Sequence, residues 1–469
     1  MNTSTREPLP KQLLVQVQAL ADNREDLLSD PADCWPYGYD NSRRHACPQA
    51  VFFARRHDQV ADLVRLCHAT GTPVTARGTG TGTTGATVPL TGGIVVSFER
   101  MARIIEIDAE NRYARVEPGV TNQALQDAAS GHGLFWPPDP TSASISTVGG
   151  NLAYNSAGPR AVKYGTPREN TLGLTAVTGT GDTLRTGTLT TKGVVGYDLT
   201  RLLIGSEGTL ALITGATLKL TPLAESRRTL RALYRDIHSA ARAVSAIMGQ
   251  PVTPCALEFM DRAALEMVRS HEDPGLGEET GALLMIEVDG PSHCIDEAAR
   301  AVAGAARNEG TLEVEVATTH QEVERLWRVR KALSPALRNV APKKINEDVA
   351  VPVSRLPELI GGLEALAAGH NITIVNFGHA GNGNIHVNLL VNPDDPEEMR
   401  QAASCLEAVV ALGLALGGTR SGAHGVGLDK REFVASELEP VALALMRRIM
   451  RQFDPGGILN PLKALPLGP

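Results

Sequence analysis

The spacing of hydrophobic residues along this chain changes character near residue 222. Residues 11–29 carry Leu13, Leu14, Val17, Leu20 and Leu27 at mixed spacing and predict a helix. Residues 50–54 form a strand-sized apolar run, and 58–68 follow as a helix. Residues 72–75 open a strand into a glycine-rich loop, and 93–97, 104–107 and 114–118 predict further strands. A helix is expected over 121–132, with Gly133 as its C-terminal cap. A second glycine-rich stretch, 147–151, precedes strands at 172–178 and 208–220. Beyond Pro222, helical periodicity dominates over 237–248, 262–269, 295–309, 321–337, 354–369 and 396–413. Strands over 282–288, 312–317, 348–352 and 372–377 interrupt it. Such a mixture predicts an α+β domain. Residues 438–453 close as a helix, and 454–461 as a turn-rich segment.

A chain of 469 residues has room for two or three domains. Its formal net charge of −7 gives no bulk basic character to support nucleic-acid binding. The apolar runs are strand-sized, far short of a transmembrane helix, so no transmembrane segment is expected. The polar start lacks the apolar stretch of a secretory signal. Six scattered cysteines without a Cys-x-x-Cys pair fit reduced thiols in a cytoplasmic protein, with attachment to the periphery of the inner membrane left open.

The first glycine stretch is Arg77-Gly-Thr-Gly-Thr-Gly-Thr-Thr-Gly85. It contains a literal G-x-G-x-x-G, but a Rossmann turn needs a helix immediately afterwards. Pro89, Gly92 and Gly93 stand there instead, so that assignment is rejected. What remains is a loop of small residues whose N–H groups can form an anion nest, with Thr79, Thr81, Thr83 and Thr84 adding hydroxyls. A merely flexible loop has the same composition. The second stretch, with Pro137-Pro-Asp-Pro140 before it, favours a cofactor cradle. In the other half, His379 and His386 stand seven apart among glycines, and His424 stands in Ser421-Gly-Ala-His-Gly-Val-Gly427. Histidines crowded by glycines suggest a site for a small ligand or a metal.

These motifs, with Lys163-Tyr-Gly-Thr-Pro-Arg-Glu-Asn170, Leu202-Leu-Ile-Gly-Ser-Glu-Gly-Thr-Leu210, Asn376–Asn388 and Asp454–Pro461, run from about Ala46 to Lys463. In this order they resemble the FAD-linked D-2-hydroxy acid dehydrogenases, flavoproteins of the vanillyl-alcohol oxidase type that include D-lactate, D-2-hydroxyglutarate and glycolate dehydrogenases. The resemblance implies an α+β fold with a two-part FAD-binding domain, an α+β substrate cap and a C-terminal return to the FAD domain. The corresponding bounds are an N-terminal helical segment at 1–45, the FAD domain at 46–222, the cap at 223–427 and the returning segment at 428–469. It implies pyrophosphate binding by Arg77, Gly78, Thr79, Gly80, Thr81, Gly82, Thr83, Thr84 and Gly85. Pro138, Asp139, Ser142, Thr147, Gly149, Gly150, Asn151 and Gly158 would line FAD, Glu207, Gly208 and Ile213 would hold its adenine side, and Asn460 would lie near the flavin ring. Covalent members of the wider group carry a histidine in the loop filled here by Thr79–Gly85, so noncovalent FAD is expected.

For the substrate, the resemblance implies Arg330 and Ser334 as carboxylate contacts, four apart and so on one helix face. Lys344 is a third contact, with Lys343 as its substitute, and Asn388 could donate to the hydroxyl or the carboxylate. A solvated basic helix face is the plain alternative for the first pair. His424 is expected as general base, since a near-neutral imidazole can take the hydroxyl proton. His379 and His386 would hold a divalent metal, zinc or manganese, but two imidazoles do not complete a site. The family's third ligand, a glutamate, is replaced by Ala423, and Asn382 stands where the family often has aspartate. Glu347 or Asp348 could substitute, or the two histidines could touch the substrate as polar contacts. Electrons would leave for a quinone, a cytochrome or an electron-transfer flavoprotein, because no nicotinamide site is evident. A homodimer is compatible with the sequence. Flavin-dependent oxidation of a sugar or alcohol by O₂, or a non-catalytic FAD-binding subunit of a complex, are the alternative functions.

Overall fold

The computed structural model describes residues 8–271, 275–340 and 343–467. They form two compact units. Unit 1 lies within Met1–Gly158, Gly165–Leu223 and Ala423–Pro469, and unit 2 comprises Pro159–Tyr164 and Ala224–Gly422. In the N-terminal helix, Leu13 and Val17 are buried in a core of unit 1. Residues 423–427, assigned by sequence to the cap, belong to unit 1, and 159–164 belong to unit 2.

Unit 1 holds two main sheets. In the first, Ala50–Phe53, Ile94–Ser97 and Val74–Arg77 run parallel, and the short strand Leu27–Leu28 pairs antiparallel at the edge. Ala50, Phe52, Ile94 and Val96 pack against Val60, Leu63, Val64 and Cys67 of the helix His57–Thr70. The second sheet is antiparallel, in the order Ile104–Asp108, Tyr113–Val116, Ala211–Lys219, Thr171–Thr178, Thr183–Gly187. The chain's end returns to this unit: Leu459 bridges to Val74, and Asn460 N donates to Val74 O at 2.7 Å.

Unit 2 is one seven-stranded antiparallel sheet with helices on both faces. Its order is Thr311–Ala317, Ser226–Tyr234, Ala282–Gly290, Ala256–Asp261, Thr373–His379, Asn384–Val391, Lys343–Ala350. Burial on both faces explains the near-continuous apolar run of Ala282–Gly290. Leu284, Ile286 and Val288 join the core beneath the helices Ile237–Gly249, Ile295–Ala305, Leu356–His370 and Pro396–Ala415. Leu283 and Met285 join the opposite core, beneath Arg262–His271 and His320–Val340.

Several expectations are corrected. The first helix ends at Leu20 rather than 29, and Asn23–Asp26 then form a capped 3₁₀ turn. Asp26 is fully buried and accepts from Arg55, at 3.0 Å, and from Arg100, which fixes that turn. Residues 148–154, within and after the second glycine-rich stretch, form a helix that the sequence reading did not assign. Thr147 caps them by accepting from Gly150 N at 3.2 Å, overriding the poor helix propensity of Gly149 and Gly150. Strands Ser226–Tyr234, Ala256–Asp261 and Asn384–Val391 were not anticipated. Each carries charged or polar residues on one buried face, which masks its strand character.

Candidate functional site

Unit 1 contains a cavity walled by backbone and small residues. Ala76, Arg77 and Gly78 enter from the strand Val74–Arg77, Thr147, Gly149, Gly150 and Tyr154 from the capped helix, and Glu207, Gly208 and Ile213 from the turn into Ala211–Lys219. Ala86, Phe98, Pro118, Leu212 and Asn460 complete much of the lining. Glycine is needed at Gly78, where a Cβ would stand 2.4 Å from Thr147 Oγ1, and at Gly149, where it would meet Pro118 at 2.6 Å. Arg77 donates through Nη1 to Tyr39 O at 2.6 Å, while its buried Nε meets no acceptor among the described residues. Burial also pushes this guanidinium below its ordinary pKa. A buried cation with an unmet donor, beside clustered backbone N–H groups, fits an anionic ligand such as the FAD pyrophosphate.

Nine of the residues expected at FAD therefore line one cavity: Arg77, Gly78, Thr147, Gly149, Gly150, Glu207, Gly208, Ile213 and Asn460. The rest of the glycine loop buttresses it. Thr79 Oγ1 donates to Ile145 O at 2.9 Å, and Asn41 donates to Thr81 O and Gly82 O. Pro138 O and Asn151 Oδ1 both accept from Asn122 Nδ2, at 2.9 and 3.1 Å. Asp139 N donates to Ala157 O, beside Gly158, and Ser142 O accepts from Ser146 N at 2.7 Å. Tyr154, Phe98 and Thr87 are lining residues that sequence reasoning missed. Tyr154 could have been found, as it follows Gly150, another lining residue, by four positions and so shares its helix face.

His424 also lies in unit 1, half-buried. Its carbonyl accepts from Thr84 Oγ1 at 3.3 Å, so the expected base is tied by its backbone to the glycine loop. Ala423 O accepts from Ser156 Oγ at 3.3 Å.

In unit 2, strand periodicity collects the remaining groups. Glu258, His379, His386, Asn388 and Asp348 project from the same face of the sheet, since side chains two apart share a face. His379 Nδ1 stands 2.5 Å from Glu258 Oε1, and His386 Nδ1 stands 3.1 Å from Asp348 Oδ1. The two imidazoles lie 5.2 Å apart, centre to centre, and nearly perpendicular. Asp348 is fully buried and accepts from Asn384 Nδ2 at 2.7 Å. Burial depresses the His386 pKa below the ordinary imidazole value, and Asp348 opposes that shift. At His379, an Nδ1–H held by a carboxylate makes Nε2 the nitrogen that accepts or coordinates. The two neighbouring imidazoles offer polar contacts to a hydroxy acid, or two of the ligands that a divalent cation needs. Of the two carboxylates offered by sequence, Asp348 meets a histidine, while Glu347 falls on the other face. Glu258 was missed altogether.

Asn388, expected at the substrate, is fully buried and hydrogen-bonded within the sheet. Its Nδ2 donates to Val375 O at 3.1 Å and His386 O at 2.9 Å, and its Oδ1 accepts from Asn346 at 2.7 Å. Lys344 is exposed and shares the face of Asp348. Arg330 and Ser334 lie on the helix His320–Val340, and their side chains fall outside the described residues. Among the described residues, no helix is long and apolar enough to cross a membrane.

Comparisons with known proteins agree with this division. A model of an FAD binding domain matches residues 48–187, and one of the C-terminal domain of FAD linked oxidases matches residues 223–464. Glycolate oxidase subunit GlcD of Bacillus subtilis (strain 168) is 37% identical over 428 residues, 91% of each chain. A D-lactate dehydrogenase of Archaeoglobus fulgidus is 35% identical, spanning 93% of this chain and 96% of its own. A D-lactate dehydrogenase of Anaerostipes hadrus is 34% identical over 89% of this chain and 90% of its own. The fold also matches p-cresol methylhydroxylase, with a TM-score of 0.77 at 18% identity over 96% of this chain and 95% of the other. With 4-ethylphenol oxidase from Gulosibacter chungangensis, the TM-score is 0.76 at 19% identity over 97% of both chains. The two-part FAD domain with an α+β cap and a returning C-terminus is thus the fold of vanillyl-alcohol-oxidase-type flavoproteins, and the chain belongs to the FAD-linked D-2-hydroxy acid dehydrogenase family.

Proposed function

We propose that this protein oxidises a small D-2-hydroxy acid to the 2-oxo acid. D-Lactate and glycolate, the acids in its relatives' names, are the first candidates. D-2-Hydroxyglutarate is the longer alternative. The observation that carries the proposal is the pair of carboxylate-backed imidazoles on one sheet face, in a chain that also has an FAD domain. Neighbouring imidazoles, one buried and one half-buried, suit a substrate bearing adjacent hydroxyl and carboxylate oxygens.

Bound FAD supplies the two-electron acceptor for the hydrogen on the hydroxylated carbon. His424 accepts the hydroxyl proton. His379 and His386 contact the hydroxy acid, or would hold a zinc or manganese ion, which would polarise the hydroxyl. Arg330, Ser334 and Lys344 bind the carboxylate, the guanidinium with bidentate geometry. Arg77 and the glycine-lined cavity hold the cofactor's phosphates without a covalent link. A quinone, a cytochrome or an electron-transfer flavoprotein takes the electrons onward.

Turnover should be assayed with an artificial electron acceptor across paired D- and L-2-hydroxy acids, glycolate and sugar alcohols. Preference for a D-acid or glycolate supports the proposal. Turnover confined to sugar alcohols with steady O₂ consumption refutes it.

A further inference from the structure

Glu207 was expected to serve the adenine side of FAD, yet its carboxylate is committed elsewhere. Oε1 accepts from Val426 N at 2.5 Å and Oε2 from Gly427 N at 2.8 Å. These amides follow His424 by two and three residues. The loop passes directly over the carboxylate: a Cβ at Gly425, where φ is +76°, would stand 2.6 Å from Glu207 Oε1. Glu207 itself has φ +54°, a backbone conformation that side chains of its kind rarely adopt. It is held there by Asn460 Nδ2, which donates to Glu207 O at 2.7 Å and to Ala86 O at 2.9 Å. Lys463, also buried, donates to Val88 O at 2.6 Å and to Asn460 Oδ1 at 3.4 Å. A strained residue kept in place by this many contacts marks a position whose geometry matters.

We propose that Glu207 is a positioning residue for His424: its carboxylate clamps the backbone just after the imidazole, while Thr84 holds the backbone at the imidazole itself. The clamp accepts two N–H groups with two oxygens, which only a carboxylate of this reach does. Gln would put an NH₂ group against one of the two N–H groups, and Asp would fall short of them. Because the same residue lines the cofactor cavity, it couples the position of the base to the wall of the FAD site. The proposal rests on His424 acting as the base.

The test is a double-variant cycle on the FAD-loaded protein with Glu207→Gln and His424→Ala, read by anaerobic flavin reduction, FAD content and hydrogen exchange of the 423–428 segment. Glu207→Gln should retain FAD, speed exchange in that segment and slow reduction on the order of 10²-fold, the scale for a small misplacement of a reacting group. In the His424→Ala background the same change should cost almost nothing further. Equal fold losses in both backgrounds, or loss of FAD with normal reduction per remaining flavin, overturn the proposal. Normal reduction by His424→Ala alone refutes the base assignment and with it the proposal, and is told apart because exchange still rises in Glu207→Gln. If Glu207→Gln does not fold, Glu207→Asp replaces it: slowed reduction with FAD retained supports the clamp, and an unchanged rate overturns it.

Discussion

His379 Nδ1 lies 2.5 Å from Glu258 Oε1, between residues 121 apart in sequence that face each other on adjacent strands. The carboxylate fixes the orientation and tautomer of the ring, so Nε2 becomes the working nitrogen. Glu258→Gln should lower turnover about 10- to 100-fold, the usual cost of removing such a partner, with the fold intact. Bound zinc or manganese, measured after re-addition to chelated protein, should fall in parallel if the histidines hold a metal. Unchanged turnover and unchanged metal would show that the pair is only structural.

Acid should weaken the fold through His386. Burial lowers its folded pKa below the unfolded value, so the unfolded chain takes up the proton first as pH falls. Its contribution is complete above about pH 6.5 and declines as pH drops toward and through the depressed folded value. Melting temperatures measured between pH 7.5 and 5.5 should therefore fall less in His386→Gln than in the parent. A parallel decline in the two proteins would remove His386 as a source of the acid sensitivity.

Asn388→Ala should act on stability rather than substrate affinity. It leaves the carbonyls of Val375 and His386 without their side-chain donor in a fully buried setting. The loss should be about 2 kcal/mol in denaturant unfolding. A raised KM with unchanged unfolding would return Asn388 to the substrate.

Arg330→Ala tests the substrate helix. Losing a charge-assisted contact to a carboxylate should cost about 2 kcal/mol, or roughly 30-fold in KM, with FAD content preserved. A KM unchanged for every acid tried would mean that the helix face is solvated.

Acid or heat precipitation should release all the FAD into solution, because the Thr79–Gly85 loop offers no histidine for a covalent link. Yellow colour retained in the denatured pellet would contradict noncovalent binding.

The cofactor half was legible because its chemistry is local. Arg77, Gly78, Thr147, Gly149 and Gly150 announce themselves as small residues and caps within short stretches, and the cavity gathers them. Helix 148–154 was hidden because Gly149 and Gly150 speak against a helix that the Thr147 cap nevertheless starts. The chemistry of unit 2 was half-legible. His379 and His386 sit in one motif, but Glu258 is a lone carboxylate in the apolar run 256–260, and only strand pairing brings it to His379. Glu347 and Asp348 were equivalent in sequence until the register of Lys343–Ala350 against Asn384–Val391 set Asp348 opposite His386. Asn388 likewise meets backbone that the sequence does not place: its Nδ2 donates to Val375 O and His386 O.

The most direct measurement is an anaerobic spectral titration of the purified yellow protein with D-lactate, L-lactate, glycolate and D-2-hydroxyglutarate. The expected result is full bleaching of the flavin band by a D-acid or by glycolate, with the L-enantiomer far slower. A flavin left oxidised by every 2-hydroxy acid, yet reduced by dithionite, would contradict hydroxy acid oxidation by this protein.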